Sequence, residues 1–168
     1  MNSKERVTRL TLSAMLAALV FVATSFFKLP VSVTQGYIHL GDGFILLGAM
    51  LLGSPAIIAA ALGSALADLL GGYTVYILPT FIITGAVAAV AVWAFASERP
   101  MWVRLLGAVV AEAVMVAGYF VAEWLVLGYG LAAAAGALVP NLMQGISGIV
   151  IVFALTPMVR QVKKILKL

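Results

Sequence analysis

The sequence has no cysteine and a single histidine, His39, among its 168 residues. The first absence excludes disulfides, thiolate metal sites and cysteine nucleophiles. The second excludes a multi-histidine metal centre, so no metal and no cofactor is expected. Charge is scarce as well: Asp, Glu, Lys and Arg make up 10% of the chain, against about 25% in soluble globular proteins. There is no Walker motif, and 168 residues crowded with apolar segments leave no room for a soluble nucleotide-binding or catalytic domain. The chain is therefore not expected to be an enzyme, and no residue is assigned a catalytic role. What is present is apolar: 64% of the residues are hydrophobic and the mean hydropathy is +1.18, a composition that belongs in a membrane.

Gly, Pro and charge punctuate six apolar segments, at about 8–27, 40–53, 55–70, 77–97, 102–127 and 137–159. The first 30 residues have the layout of a secretory signal, with Lys4, Arg6 and Arg9 ahead of an apolar run. That run is long for a signal, lacks a convincing small-residue cleavage site and is followed at once by further segments, so it reads better as a first transmembrane helix. Segments two and three fall short of the roughly 20 residues that a span requires, and call for tilt, shelter by neighbours or local thinning of the bilayer. The expectation is an all-α polytopic membrane protein, one domain over residues 1–168 with six transmembrane helices. Ala132 to Ala135 reads as a helix start or an apolar loop.

Orientation follows from the basic residues. With six spans and the N-terminus inside, Lys4, Arg6, Arg9, Arg99, Arg104, Arg160, Lys163, Lys164 and Lys167 all fall on the cytoplasmic side, and only Lys28 lies outside. The positive-inside rule thus places both termini in the cytoplasm of a cell-membrane protein. The net charge of +4 is a topology signal and not a nucleic-acid footprint. The basic stretch 160–168 reads as an interfacial anchor on anionic lipid.

Ionisable and amide groups inside a membrane are costly and mark partners or wet cavities. Asp42, Asp68, Glu123, Asn141 and Gln144 all map to the outer ends of their spans. The outer loops add Gln35, Tyr37 and His39 from the first connection and Tyr73, Thr74 and Tyr76 from the third. Glu112, Tyr119 and Glu123 share one helical face of span five, Asn141, Gln144 and Gly148 share one of span six, and Thr80 and Thr84 pair on span four. Carboxylates, amides, hydroxyls and rings thus converge on an outward-opening cavity suited to a small, flat, polar heterocycle. Each residue also has a structural reading. Asp42 stands where a carboxylate caps a helix, whereas Asp68 stands where the dipole disfavours an anion and a partner is needed. The tyrosines fit an aromatic belt, Asn141 and Gln144 fit interhelical hydrogen bonds, and His39 fits a hydrogen-bonded loop position. Glu112 falls near the bilayer midplane, as structure or as cavity floor.

Small residues form two stripes that let another helix approach closely: Ala14, Ala17 and Ala18 on span one, and Ala59 to Ala67 on span three. The second reads as internal packing.

The run from Gly36 to Gly85, with HLGD and SALADLLGGY inside it, resembles the S component of an energy-coupling factor (ECF) transporter. So do GYF ahead of Glu123 and the string PNLMQGISG. The branch it resembles is the riboflavin, hydroxymethylpyrimidine or pyridoxine type, and the likeness runs in order along nearly the whole chain. It implies six helices and an outward-facing vitamin site built from the first, third and fifth loops and helices four to six. It also implies an Ala-x-x-x-Ala motif, here Ala14 and Ala18, that docks on a T component working with two ATPase subunits. The substrate-binding set is then Gln35, Tyr37, His39, Asp68, Tyr73, Tyr76, Thr80, Thr84, Tyr119, Glu123, Asn141 and Gln144. The branch carries a lysine in an Ile-Lys-Gly string of helix four where this chain has Ile83-Thr84-Gly85, which argues against an anionic or phosphorylated ligand. The expected substrate is a small neutral heterocycle, hydroxymethylpyrimidine or pyridoxine, with riboflavin or another vitamin as the alternative. A different class, a small proton-coupled carrier using Glu112 and Glu123, stays open at this point.

Overall fold

The computed structural model describes residues 3–96 and 99–166. Ser97 at the end of the expected fourth segment and Lys167 of the charge count lie outside the described residues, as does the side chain of Lys4. The order is α1 (Ser3–Phe26), β1 (Leu29–Val31), β2 (Gly36–Ile38), α2 (Gly41–Leu52), α3 (Pro55–Gly71), a 3₁₀ turn (Thr74–Tyr76), α4 (Ile77–Ala94), α5 (Met101–Val121), a π turn (Ala122–Val126) and α6 (Leu131–Leu166). The chain is mostly helical, as its periodicity predicts. The departure is the first connection, which pairs as an antiparallel hairpin with Leu29 opposite Ile38 and Val31 opposite Gly36.

Among the described residues four helical stretches are long and apolar enough to cross a membrane: Glu5–Phe26, Thr74–Ala94, Met101–Val126 and Leu131–Leu166. The 12-residue α2 and 17-residue α3 are not. The reason α2 tolerates its length is burial, since all but Phe44 and Leu51 are buried along it. Asp42 in its first turn meets Glu112 beside Gly148, and Glu112 lies midway along its helix, eleven residues from both Met101 and Glu123. Helix α2 therefore starts at mid-depth and fills one half of the bundle, and the hairpin descends to reach it. This corrects the sequence expectation for Asp42, which lies deeper than Asp68 or Glu123. Its capping role is also corrected: no side-chain bond caps α2.

The core packs Ile45, Leu46 and Met50 of α2 against Leu16 and Val20 of α1, Val87 and Ala91 of α4, Ala108, Ala111 and Met115 of α5, and Val152 of α6. In a bilayer such contacts gain little from leaving lipid, so close fit supplies the stability. Gly63 illustrates this: a Cβ there would run into the Ala17 carbonyl, so the small stripe of α3 packs on α1 as expected. Ala14 and Ala18 are exposed on the opposite side of α1. Helix α6 continues through Pro140 and Pro157 for 36 residues, about 54 Å at 1.5 Å per residue. It takes up both the Ala132 to Ala135 run and the basic stretch as far as Leu166 in one helix.

Candidate functional site

Helix α3 ends in a left-handed Gly72 (φ 82°), with Tyr73 N–H bonded back to the Asp68 carbonyl at 2.9 Å. This closure holds Asp68 in the last turn, 2% exposed, and turns the chain into the 3₁₀ segment that carries Tyr76. Helix α5 ends differently. Its final turn widens into a π turn, closed by Leu127 N–H to Ala122 O at 2.8 Å, and buries Glu123 to 3% exposure. Over both sits the hairpin, whose tip is turned by Gln35 in the left-handed region (φ 56°).

Beneath the hairpin lies a cavity of about 20 Å³, lined by Val31, Thr34, Gly36, Tyr37, His39, Asp68, Tyr76, Thr80, Tyr119, Glu123, Asn141 and Gln144. Nine of the twelve residues expected from sequence are among them. Three are not. Gln35 is exposed at the hairpin tip, Thr84 is buried a turn below Thr80, and Tyr73 stands behind Tyr37 with ring centroids 4.5 Å apart. Sequence reading missed Val31, Thr34 and Gly36, and it missed the link between Asp42 and the site.

Tyrosine hydroxyls hold one oxygen of each outer carboxylate. Tyr37 donates to Asp68 Oδ1 at 2.5 Å, and the Tyr76 hydroxyl lies 2.7 Å from the Thr34 carbonyl and 3.1 Å from Glu123 Oε1. Burial, then Asp68, push the Tyr37 phenol well above its ordinary range, so it stays a neutral donor. Thr80 and Tyr119 share a hydrogen bond at 3.0 Å. Asp68 Oδ2 and Glu123 Oε2 are buried without a partner.

The floor is a relay of fixed bonds. Gln144 Oε1 accepts the His39 backbone N–H at 2.8 Å, and its Nε2 donates to Asp42 Oδ2 at 2.7 Å. One side chain of α6 thereby ties the hairpin to the start of α2. His39 Nδ1 accepts the Gly41 N–H at 3.0 Å, which assigns the proton of the neutral ring to Nε2. Burial pulls the His39 imidazole below its ordinary value; Asp42 and Asp68 oppose the shift and Lys28 adds to it. Lys28 itself donates to the Ala67 carbonyl at 3.2 Å and lies 4.2 Å from the Tyr37 ring centre and 4.9 Å from that of Tyr73. Burial lowers its pKa against the pull of Asp68. His39 and Gln144 also wall off a larger apolar crevice, about 470 Å³, between the end of α1 and Met143. Among the described residues no group of three or more His, Cys, Asp or Glu is placed to hold a metal.

Comparison with known proteins follows from this geometry. Residues 4–163 match the family described as "ECF-type riboflavin transporter, S component". A thiamine precursor transporter, HmpT, of Lactococcus lactis subsp. cremoris is 32% identical over 159 residues, 94% of this chain and 90% of that protein. An uncharacterized protein of Pyrococcus woesei is 36% identical over 135 residues, 79% of this chain and 88% of that one. A solved structure of the S component of a bacterial ECF transporter has the same fold. It superposes with a TM-score of 0.71 over 97% of this chain and 99% of its own, at 24% identity.

Proposed function

The chain belongs to the S components of ECF transporters, membrane-embedded transport subunits and not enzymes; from this premise we propose that it captures a one-ring vitamin or vitamin precursor from outside the cell. Hydroxymethylpyrimidine is the foremost candidate and pyridoxine the next. The observation that carries the reading is convergence: nine residues chosen for their chemistry, from the hairpin and from α3 to α6, line one cavity. The tyrosine rings offer flat surface, and Glu123, Asp68, Asn141 and Gln144 offer hydrogen bonds. The Lactococcus relative is a thiamine precursor transporter, which supports a pyrimidine here. The small cavity favours one ring over the three of riboflavin, because a smaller ligand displaces the hairpin less.

In this reading residues 1–168 form one domain crossing the membrane six times, with α2 and α3 sheltered by the four longer spans. Both termini lie in the cytoplasm of the cell membrane. Energy comes from a T component and two ATPase subunits, and the exposed pair Ala14 and Ala18 is the docking contact on α1. Isothermal titration of hydroxymethylpyrimidine, pyridoxine and riboflavin into the detergent-purified protein tests the substrate. Asn141→Ala is expected to weaken pyrimidine binding about five-fold to a hundred-fold, because a buried polar partner is left unsatisfied. Tight riboflavin binding with no pyrimidine binding overturns the choice.

A further inference from the structure

Two carboxylate oxygens in the cavity beneath the hairpin are reached by no donor, although the His39 Nε2–H and the Asn141 amide also line it. Asp68 and Glu123 both line it, both are at least 97% buried, and each has one carboxylate oxygen bound by a tyrosine hydroxyl and one with no partner. The hydroxyls of Thr34 and Thr80 lie near Glu123 and Asp68 without completing a hydrogen bond to the free oxygens. No lysine or arginine is in the lining. Among the described residues the one nearby cation, Lys28, is engaged by the Ala67 carbonyl and two tyrosine rings, and it stands by Asp68 and not by Glu123. The imidazole in the lining is held neutral. A buried carboxylate oxygen without a donor is costly, and two of them in one cavity point to a ligand that brings what is missing.

We infer that the site takes its ligand as a cation carrying N–H or O–H donors on two separated edges, one for Asp68 and one for Glu123. This rests on the substrate-binding reading of the cavity given above and narrows it. Because each carboxylate has one oxygen already committed, the geometry calls for single donors on opposite edges and not for a two-pronged fork onto one carboxylate. An aminopyrimidine with a hydroxymethyl arm has that layout: the amino group and the neighbouring hydroxyl form one edge, and the protonated ring nitrogen across from the amino carbon forms the other. The flat cation also suits the faces of Tyr37, Tyr76 and Tyr119. An oxo ring of the same shape turns a carbonyl acceptor toward a carboxylate, and a phosphorylated ligand brings a second anion; both are rejected.

The test is titration calorimetry on the unaltered full chain with the hydroxymethyl aminopyrimidine and its oxo isostere, repeated on Asp68→Asn and Glu123→Gln. The unaltered chain is expected to bind the amino compound at least about ten-fold tighter than the isostere. Each carboxamide variant is expected to narrow that gap, and unfolding midpoints check that both variants are folded. Equal affinity for the two compounds overturns the inference and leaves the transport reading standing. A gap untouched by both variants overturns the assignment to these two carboxylates. If pyrimidines, pyridoxine and riboflavin all fail to bind, the cavity reading fails and this inference with it.

Discussion

Gln144 is the residue on which the closed arrangement of the site turns. It satisfies a loop N–H and a carboxylate at once. Gln144→Ala strands both groups, at roughly 1–3 kcal/mol each, and is expected to speed amide exchange across 29–40 while lowering the melting temperature. Unchanged exchange in the hairpin refutes the latch. His39 adds a pH dependence. Its ordinary pKa of 6.5 is lowered in the folded chain, so the unfolded chain binds more protons just below that value. The sign is then fixed: the contribution of His39 is complete above pH 6.5 and is lost as the pH falls below it. Protonation at Nδ1 also breaks the bond from the Gly41 N–H. His39→Gln is expected to flatten that part of the curve of melting temperature against pH; an identical curve contradicts the assignment.

Among the elements, α1 shows two faces with opposite tolerances. Gly63 of α3 meets the Ala17 carbonyl of α1, and backbone cannot swing aside, so Gly63→Leu is expected to destabilise the isolated protein by several kcal/mol. Ala14→Trp adds far more volume on the exposed face and is expected to leave the isolated fold and its ligand binding intact, while abolishing copurification with a T component. Thermal unfolding and pull-down separate the two; normal assembly of Ala14→Trp removes the docking role. The helices themselves were legible, because apolar runs broken by Gly, Pro and charge leave little alternative in a bilayer. The hairpin was written in the alternation of Val31, Val33, Tyr37 and His39 around Gln35 and Gly36, but the loop is short and flanked by much stronger helical signals. The mid-depth start of α2 was not legible. Counting residues assigns depth only when each helix begins at a membrane face, and α2 begins inside the bundle because α1, α4 and α6 enclose it. The π turn at Glu123 was likewise hidden, since an i to i+5 closure leaves no mark in hydrophobic periodicity.

At the scale of the whole molecule, the choice lies between a subunit powered by partners and a carrier driven by protons. Most of the site was foreseeable, because polar groups are so few in this chain that nearly every one near the hairpin end belongs to the cavity. Glu112 is the exception. Its carboxyl sits against that of Asp42, where Gly145 and Gly148 leave just enough room for it, yet it lies outside the cavity lining. A relay from Glu123 through Glu112 has to continue to the opposite face. Among the described residues the buried ionisable groups are His39, Asp42, Asp68, Glu112 and Glu123. From Glu112 toward Arg104, the buried face of α5 is Ala111, Ala108 and Gly107, and α5 packs on α4 and α6. Among the described residues a proton shared by Glu112 and Asp42 meets no further buried carboxylate or imidazole before the cavity of about 230 Å³ that Arg9 and Lys163 line at the far end of α2, so the pathway is interrupted at mid-depth. Uptake into proteoliposomes is therefore expected to require a T component, both ATPase subunits and ATP inside, and to be unaffected by collapsing the proton gradient with an uncoupler. Glu112→Gln keeps the shape of the buried pair while removing the titration, and is expected to alter stability without making uptake gradient-dependent. Uptake by the chain alone that follows an imposed proton gradient and is lost in Glu112→Gln decides for the carrier instead.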